Sequence, residues 1–173
     1  GLLNVSEGEL KVDGQNISSN NKREWQARIA HVPQDIFLSD NSIEENIAFG
    51  EPKCKINRNR VREVAKLAQI DKVIDKLEFQ YETKVGERGL KLSGGQRQRI
   101  GIARALYKKA DVLVFDEATS SLDNFTEKNV MDAINTLDRD LTIFFIAHRE
   151  STIQECDKII EIKDGSIYIK ELT

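Results

Sequence analysis

The feature that most narrows the fold is the run Val112-Leu113-Val114-Phe115, closed by Asp116-Glu117. A short, continuous apolar run rich in β-branched residues suits a strand buried on both faces of a parallel sheet. Its neighbours in sequence agree. Gly94 to Lys109 carries Ile100, Ala103, Leu106 and Tyr107 on one helical face, with Arg97, Arg99, Arg104 and Lys108 elsewhere. Asn124 to Leu137 repeats the pattern with Val130, Ala133, Ile134 and Leu137, and Thr142 to Ala147 is a further apolar strand. Strands separated by helices need crossover connections, so the alternation predicts an α/β fold with a mostly parallel central sheet.

The flanks add smaller elements. Glu9 to Val12 reads as a short strand turned by Asp13-Gly14, and Arg28 to Pro33 as another strand. Ser42 followed by Glu45 is a capping-box pattern that opens a short helix to about Phe49. Arg58 to Gln69 has helical spacing at Val61, Val64, Ala65 and Ala68. Asp71 is placed to cap a turn over Lys72 to Leu77, and Tyr81 to Leu92 reads as loop. Lys158 to Lys163 and Ser166 to Ile169 flank Asp164-Gly165, a hairpin signal. With no repeat or linker, residues 1–173 are expected to form one domain with antiparallel decoration at its ends.

Composition excludes some functions. The net charge of −3 argues against broad nucleic-acid binding, which needs a surplus of cations. The longest apolar run, Leu141 to Ala147, is far short of a membrane span. Cys54 and Cys156 lack metal-ligand spacing and read as free thiols of a reducing compartment.

Three predicted strands end in polar side chains. Arg28–Pro33 runs into Gln34, Val112–Phe115 into Asp116 and Glu117, and Thr142–Ala147 into His148. Ligands of open parallel sheets bind beyond the carboxyl ends of the strands. An amide, two carboxylates and an imidazole on that edge can position a hard cation, a water and a phosphate. Taken alone, Asp116-Glu117 is better read as a solvated acidic turn; the buried strand before it and Ala118 to Asp123 after it reverse that preference. In Leu92-Ser93-Gly94-Gly95-Gln96, two glycines opening a helix let backbone N–H groups approach a phosphate. Ser93 and Gln96 also fit a capping box, and both readings can hold.

At this point a family resemblance is plain. Leu92-Ser93-Gly94-Gly95-Gln96-Arg97-Gln98-Arg99, continuing into Ala103-Arg104-Ala105-Leu106, resembles the signature of ATP-binding-cassette (ABC) ATPases and its helix. Val112 to Glu117 is similar to the Walker B strand, Ser121-Leu122-Asp123 to the D-loop, Gln34 to the Q-loop glutamine, and His148 to the switch histidine. The motifs stand in the family's order. Val32-Pro33-Gln34-Asp35, Ser42-Ile43-Glu44-Glu45-Asn46-Ile47 and Val85-Gly86-Glu87-Arg88-Gly89 resemble exporters that fuse membrane and ATPase domains.

The resemblance implies a P-loop NTPase-like fold with a helical signature subdomain at about 43–108, the rest of the core at about 1–42 and 109–173. It implies ATP and Mg²⁺ as cofactors. Glu117 and His148 would be catalytic; Gln34, Ser93, Gly94, Gly95, Gln96 and Asp123 would bind nucleotide. Asp116 and Gln34 would serve the metal. It further implies a head-to-tail dimer, taken as a homodimer, and a transmembrane domain in the same polypeptide. No nucleic-acid partner is implied. The location would be the cytoplasmic face of the plasma (inner) membrane. A non-transport ABC ATPase of DNA repair or translation, or an interaction domain without activity, are the rival readings; neither coiled-coil insertions nor basic arms stand in the sequence.

The family's phosphate-binding loop, G-x-x-x-x-G-K-[S/T], is absent from the 173 residues. In the family, a segment like Gly1 to Glu9 lies shortly after that loop, so truncation rather than natural loss is expected. That loop supplies backbone N–H groups and a lysine to the β- and γ-phosphates. These 173 residues expressed alone are therefore expected to bind ATP weakly and not to turn it over. Nucleotide titration and phosphate release measure both, and robust turnover by the isolated segment would refute the expectation.

Overall fold

The computed structural model describes residues 5–137, 140–147, 153 and 156–171. At its centre lie three parallel strands, β3 (Ile29–Val32), β4 (Val112–Asp116) and β5 (Thr142–Ile146), in the order β3-β4-β5. Val32 stands opposite Phe115, and Asp116 opposite Ile146. The carboxyl ends of the strands are therefore level along one edge. On one face, Leu113 and Phe115 are buried, and Phe115 stacks on Phe145 with ring centroids 5.0 Å apart.

The parallel strands match the expectation; their burial on both faces does not. Phe144 and Ile146 are 49% and 52% exposed. Successive side chains of a strand point to opposite faces, so one face of β5 carries its apolar residues into solvent.

Two hairpins flank this core in sequence. β1 (Lys11–Val12) pairs with β2 (Gln15–Asn16) around Asp13-Gly14. β6 (Lys158–Lys163) pairs with β7 (Ser166–Glu171) around Asp164-Gly165. Asp164 and Gly165 both have positive φ, 50° and 75°, the geometry that matches a hairpin's twist and suits this dipeptide.

The helices are α1 (Lys22–Ala27), α2 (Ile43–Ile47), α3 (Arg58–Leu67), α4 (Asp71–Ile74), α5 (Gly94–Tyr107) and α6 (Asn124–Asn135). Ser42 caps α2 through the expected capping box. α3 buries Val61, Val64 and Ala65, as its spacing requires. Asp71 does not cap α4: it is the first helical residue, and the cap position is Ile70. The turn ends at Ile74 rather than Leu77, because Lys76 and Leu77 bond back only three residues. The segment read as loop carries two short 3-10 turns, Gln80–Glu82 and Glu87–Gly89. α1 was not expected: it buries no residue and so shows no apolar periodicity.

α5 is the element on which the others converge. Ile100, Ile102 and Ala103 are fully buried. A Cβ on Gly101 would lie 2.4 Å from Ile36 Cδ1, so a bare backbone here lets the segment after β3 lie against the helix. Arg99 and Arg104 of α5, and Lys108 at its C-terminal cap, bond main-chain carbonyls outside the helix. Lys108 Nζ donates to Gln26 O and Ile29 O. Arg99 Nη1 donates to Gln69 O at 2.6 Å. Arg104 donates to Asn46 O, Phe37 O and Asn46 Oδ1 at 2.8, 2.9 and 3.2 Å, and its guanidinium stands 4.8 Å from the Phe49 ring centroid. Burial pulls the Arg104 guanidinium below its usual value, though an arginine stays charged in any case.

Carbonyls left without a donor in a partly buried site are costly. Arg104→Leu should lower the unfolding free energy by about 2 kcal/mol, read as a lower urea midpoint at unchanged slope. An unchanged midpoint would show that water replaces the guanidinium without loss.

Candidate functional site

The parallel register delivers the predicted polar groups to one rim. Gln34 follows β3 by two residues, and Glu117 follows β4 directly. Their side chains meet: Gln34 Nε2 donates to Glu117 Oε2 at 2.8 Å. Glu117 N–H donates to Ile146 O at the end of β5, at 2.9 Å, which ties the same residue to the third strand. Glu117 has φ 48°, a left-handed conformation that a non-glycine residue adopts at a cost of order 1 kcal/mol. The chain thus turns sharply at the strand end and holds the carboxylate at the rim. Asp116, the last residue of β4, is half-buried, and its Oδ2 lies 3.9 Å from His31 Nε2. His148 lies outside the described residues.

The second group of expected residues opens α5. Ser93 is the N-cap: Gln96 N–H donates to Ser93 Oγ, and Ser93 N–H donates to Gln96 Oε1 at 2.9 Å. The capping-box alternative is therefore present in this structure. Gly94 and Gly95 are the first helical residues. A Cβ on Gly95 would stand 3.0 Å from Ser121 O, tighter than a side chain normally sits against backbone, so the bare backbone lets residues 120–122 press on the helix tip.

Asp123 is the N-cap of α6, accepting from Thr126 N–H at 2.9 Å and from the Thr126 hydroxyl at 2.7 Å. These bonds hold its carboxyl below the usual aspartate range. Burial lowers the Arg99 guanidinium, and the nearby Asp123 carboxylate offsets part of that.

One residue of this neighbourhood had no role in the sequence reading. Gln98 is 3% exposed. Its Nε2 donates to Ser120 Oγ at 3.1 Å, and its Oε1 accepts from Ser121 N–H at 2.9 Å. The signal was legible: Gln98 falls at helical spacing between Gly94 and Ile102, so an amide sits within the buried stripe of α5.

Two assemblies of groups result. Gln34, Asp116 and Glu117 gather at the sheet rim, with oxygen-rich chemistry suited to a hard cation and an attacking water. Ser93, Gly94 and Gly95 form the tip of a helix, whose positive dipole end suits an anion. Residues 118–123 run between them, held at Thr119 by a 2.8 Å bond from its hydroxyl to Glu127.

The pH dependence of the Asp123 cap follows from its lowered carboxyl. Its stabilisation is present above the ordinary aspartate value of about 3.9 and is lost as pH falls through the lower folded value. Asparagine also caps helices but does not titrate. The stability of the unsubstituted protein relative to Asp123→Asn should therefore fall between about pH 5 and pH 2. Denaturant midpoints over that range measure it, and a constant difference would contradict the assignment.

Comparison with known proteins bears on the same residues. The family model described as "ABC transporter" matches residues 1–120. The ABC transporter ATM1 of Toxoplasma gondii is 44% identical over 166 residues, 96% of this chain and 14% of that protein. The ATP-dependent lipid A-core flippase of Vibrio parahaemolyticus is 40% identical over 166 residues, 96% of this chain and 28% of that protein. The structure of a bacterial Atm1-family ABC exporter with ATP bound superposes with a TM-score of 0.87 at 41% identity, covering 94% of this chain and 28% of that one. The chain thus spans well under a third of the length of these relatives. The matched family model and the matched fold show that this chain belongs to the ABC transporter family and has the fold of its ATPase domain.

Proposed function

We propose that this chain is the catalytic part of the nucleotide-binding domain of an ABC exporter, hydrolysing ATP to drive transport across a membrane. The observation that carries the reading is the junction of Gln34 with Glu117, 2.8 Å apart at the level edge of the parallel sheet. It joins the segment after β3, which in an exporter would face the membrane domain, to the carboxylate that would handle water. The relatives named above as an exporter, a transporter and a flippase support the same reading.

The donor set fits Mg²⁺ with ATP. Asp116 offers a half-buried carboxylate, and Gln34 keeps its amide oxygen for a cation while its N–H binds Glu117. Bound there, Mg²⁺ would neutralise charge developing on the β- and γ-phosphates. Glu117 orients the attacking water and accepts its proton. Gln34 holds the Glu117 carboxylate toward the rim. His148, by family resemblance, contacts the γ-phosphate.

Ser93, Gly94, Gly95 and Gln96 point a helix tip at nucleotide held mainly by a second domain. Each ATP is then enclosed by two chains, head to tail, about a two-fold axis. Asp123 links the two enclosed sites. Intact catalytic motifs favour two identical chains. The helical part at about 43–108 and the core at about 1–42 and 109–173 are the two lobes of this domain. The membrane domain resides in the same polypeptide, and the ATPase works at the cytoplasmic face of the plasma (inner) membrane. Among the described residues no helix is long and apolar enough to cross a membrane.

The test belongs in the full-length protein that carries this domain. Glu117→Gln should reduce ATP turnover by roughly 10²- to 10⁴-fold and leave ATP binding within a few-fold. Undiminished phosphate release would overturn the assignment of Glu117, and failure of the unsubstituted protein to hydrolyse ATP would overturn the function.

A further inference from the structure

We infer that Gln98 is a positioning residue: it locks the D-loop to the signature helix, so that the helix tip and Glu117 move together. The inference rests on the proposed function for its consequence in turnover, but its geometry stands apart from that reading.

The amide of Gln98 is buried, and both of its ends are used. One face accepts the N–H of Ser121; the other donates to the hydroxyl of Ser120. Only a carboxamide offers a strong acceptor and a donor from one short planar group. Its place on α5 sets the direction of the contact. Gln98 lies one turn past Gly94 and Gly95, the residues that press directly on Ser121. The tip of α5 and residues 120–121 are thus joined by backbone packing on one side and a two-pronged amide on the other.

Residues 118–123 have no ladder of their own. Among the bonds in this stretch, Ser120 N–H reaches Glu117 O and Leu122 N–H reaches Thr119 O. These are local turns, which do not place the segment against a second element. Buried Ala118 and Leu122, the Thr119–Glu127 bond and Gln98 all contribute to that placement. Glu117 is three residues from Ser120, and Ser120 N–H bonds its carbonyl. A shift of the α5 tip therefore passes through Gln98 to the backbone that aims Glu117, and onward to Asp123. A helix tip that closes on a partner's nucleotide would in this way adjust the same chain's own carboxylate.

Gln98→Leu removes both prongs at similar size. Gln98→Glu keeps an acceptor for Ser121 N–H and can accept from the Ser120 hydroxyl. Hydrogen exchange of the nucleotide-free, full-length protein is the first readout. Gln98→Leu should raise exchange at residues 118–123 at least several-fold while amides of β4 stay protected, and Gln98→Glu should restore most of the protection. Steady-state hydrolysis is the second. Gln98→Leu should lower kcat about ten-fold with KM for ATP changed less than three-fold, and Gln98→Glu should recover part of kcat. Ser120→Ala added to Gln98→Leu should cause little further loss, because the two act through one contact.

Unchanged exchange at 118–123 would overturn the lock. Raised exchange with undiminished kcat would overturn its positioning role. Loss of β4 protection in both variants would make Gln98 a general core residue and overturn the inference as well. An unsubstituted protein without ATPase activity would refute the proposed function, while the exchange measurement would still decide whether the lock exists.

Discussion

Parallel pairing in one register is the constraint from which the rest of the architecture follows. With Val32 opposite Phe115 and Asp116 opposite Ile146, the three strands finish level. Residues that follow them, far apart in the chain, are then neighbours, which is how Gln34 reaches a carboxylate 83 positions away. A slip of one residue would turn Leu113 and Phe115 away from the core. The burial of those two side chains, and the stacking of Phe115 on Phe145, hold the register and through it the rim.

The second support is α5, a helix whose apolar stripe anchors the core while its cations serve carbonyls. Arg99, Arg104 and Lys108 each bond main-chain oxygens at the ends of other elements. Helix and strand termini leave carbonyls without internal partners, and a long cationic side chain can satisfy them while its stem packs on apolar surface. The helix that presents the glycine-rich tip is therefore also the one that fastens the surrounding segments. Gly101 completes this arrangement by letting Ile36 lie against bare backbone.

Much of this is legible in the amino-acid sequence. Apolar runs bounded by polar residues identified β4 and β5, and helical spacing identified α3, α5 and α6, because those elements are shaped by what they bury. The strand-end residues Gln34, Asp116 and Glu117 were legible for the same reason. What escaped was shaped by something else. α1 buries nothing, so it leaves no periodic trace. Asp71 looked like a cap, yet the helix begins one residue earlier than a cap at that position allows. The uncovered face of β5 could not be read from the strand itself, since Phe144 and Ile146 are as apolar as buried residues are. Gln98 was visible as a polar residue in an apolar stripe, but its partners come from a loop whose path no local pattern encodes.

The cap of α5 has a consequence for how one hydroxyl can hold two jobs. In the capping box, Ser93 Oγ accepts a hydrogen bond from the Gln96 main-chain N–H. The oxygen keeps its own hydrogen to give, and the side chain is exposed. Terminating the helix and offering a donor to an anion thus draw on opposite valences of a single atom. Under the proposed function, the serine need not abandon its place in the cap to meet a phosphate. An aspartate there would end the helix equally well but would repel the phosphate that the proposed function brings to it.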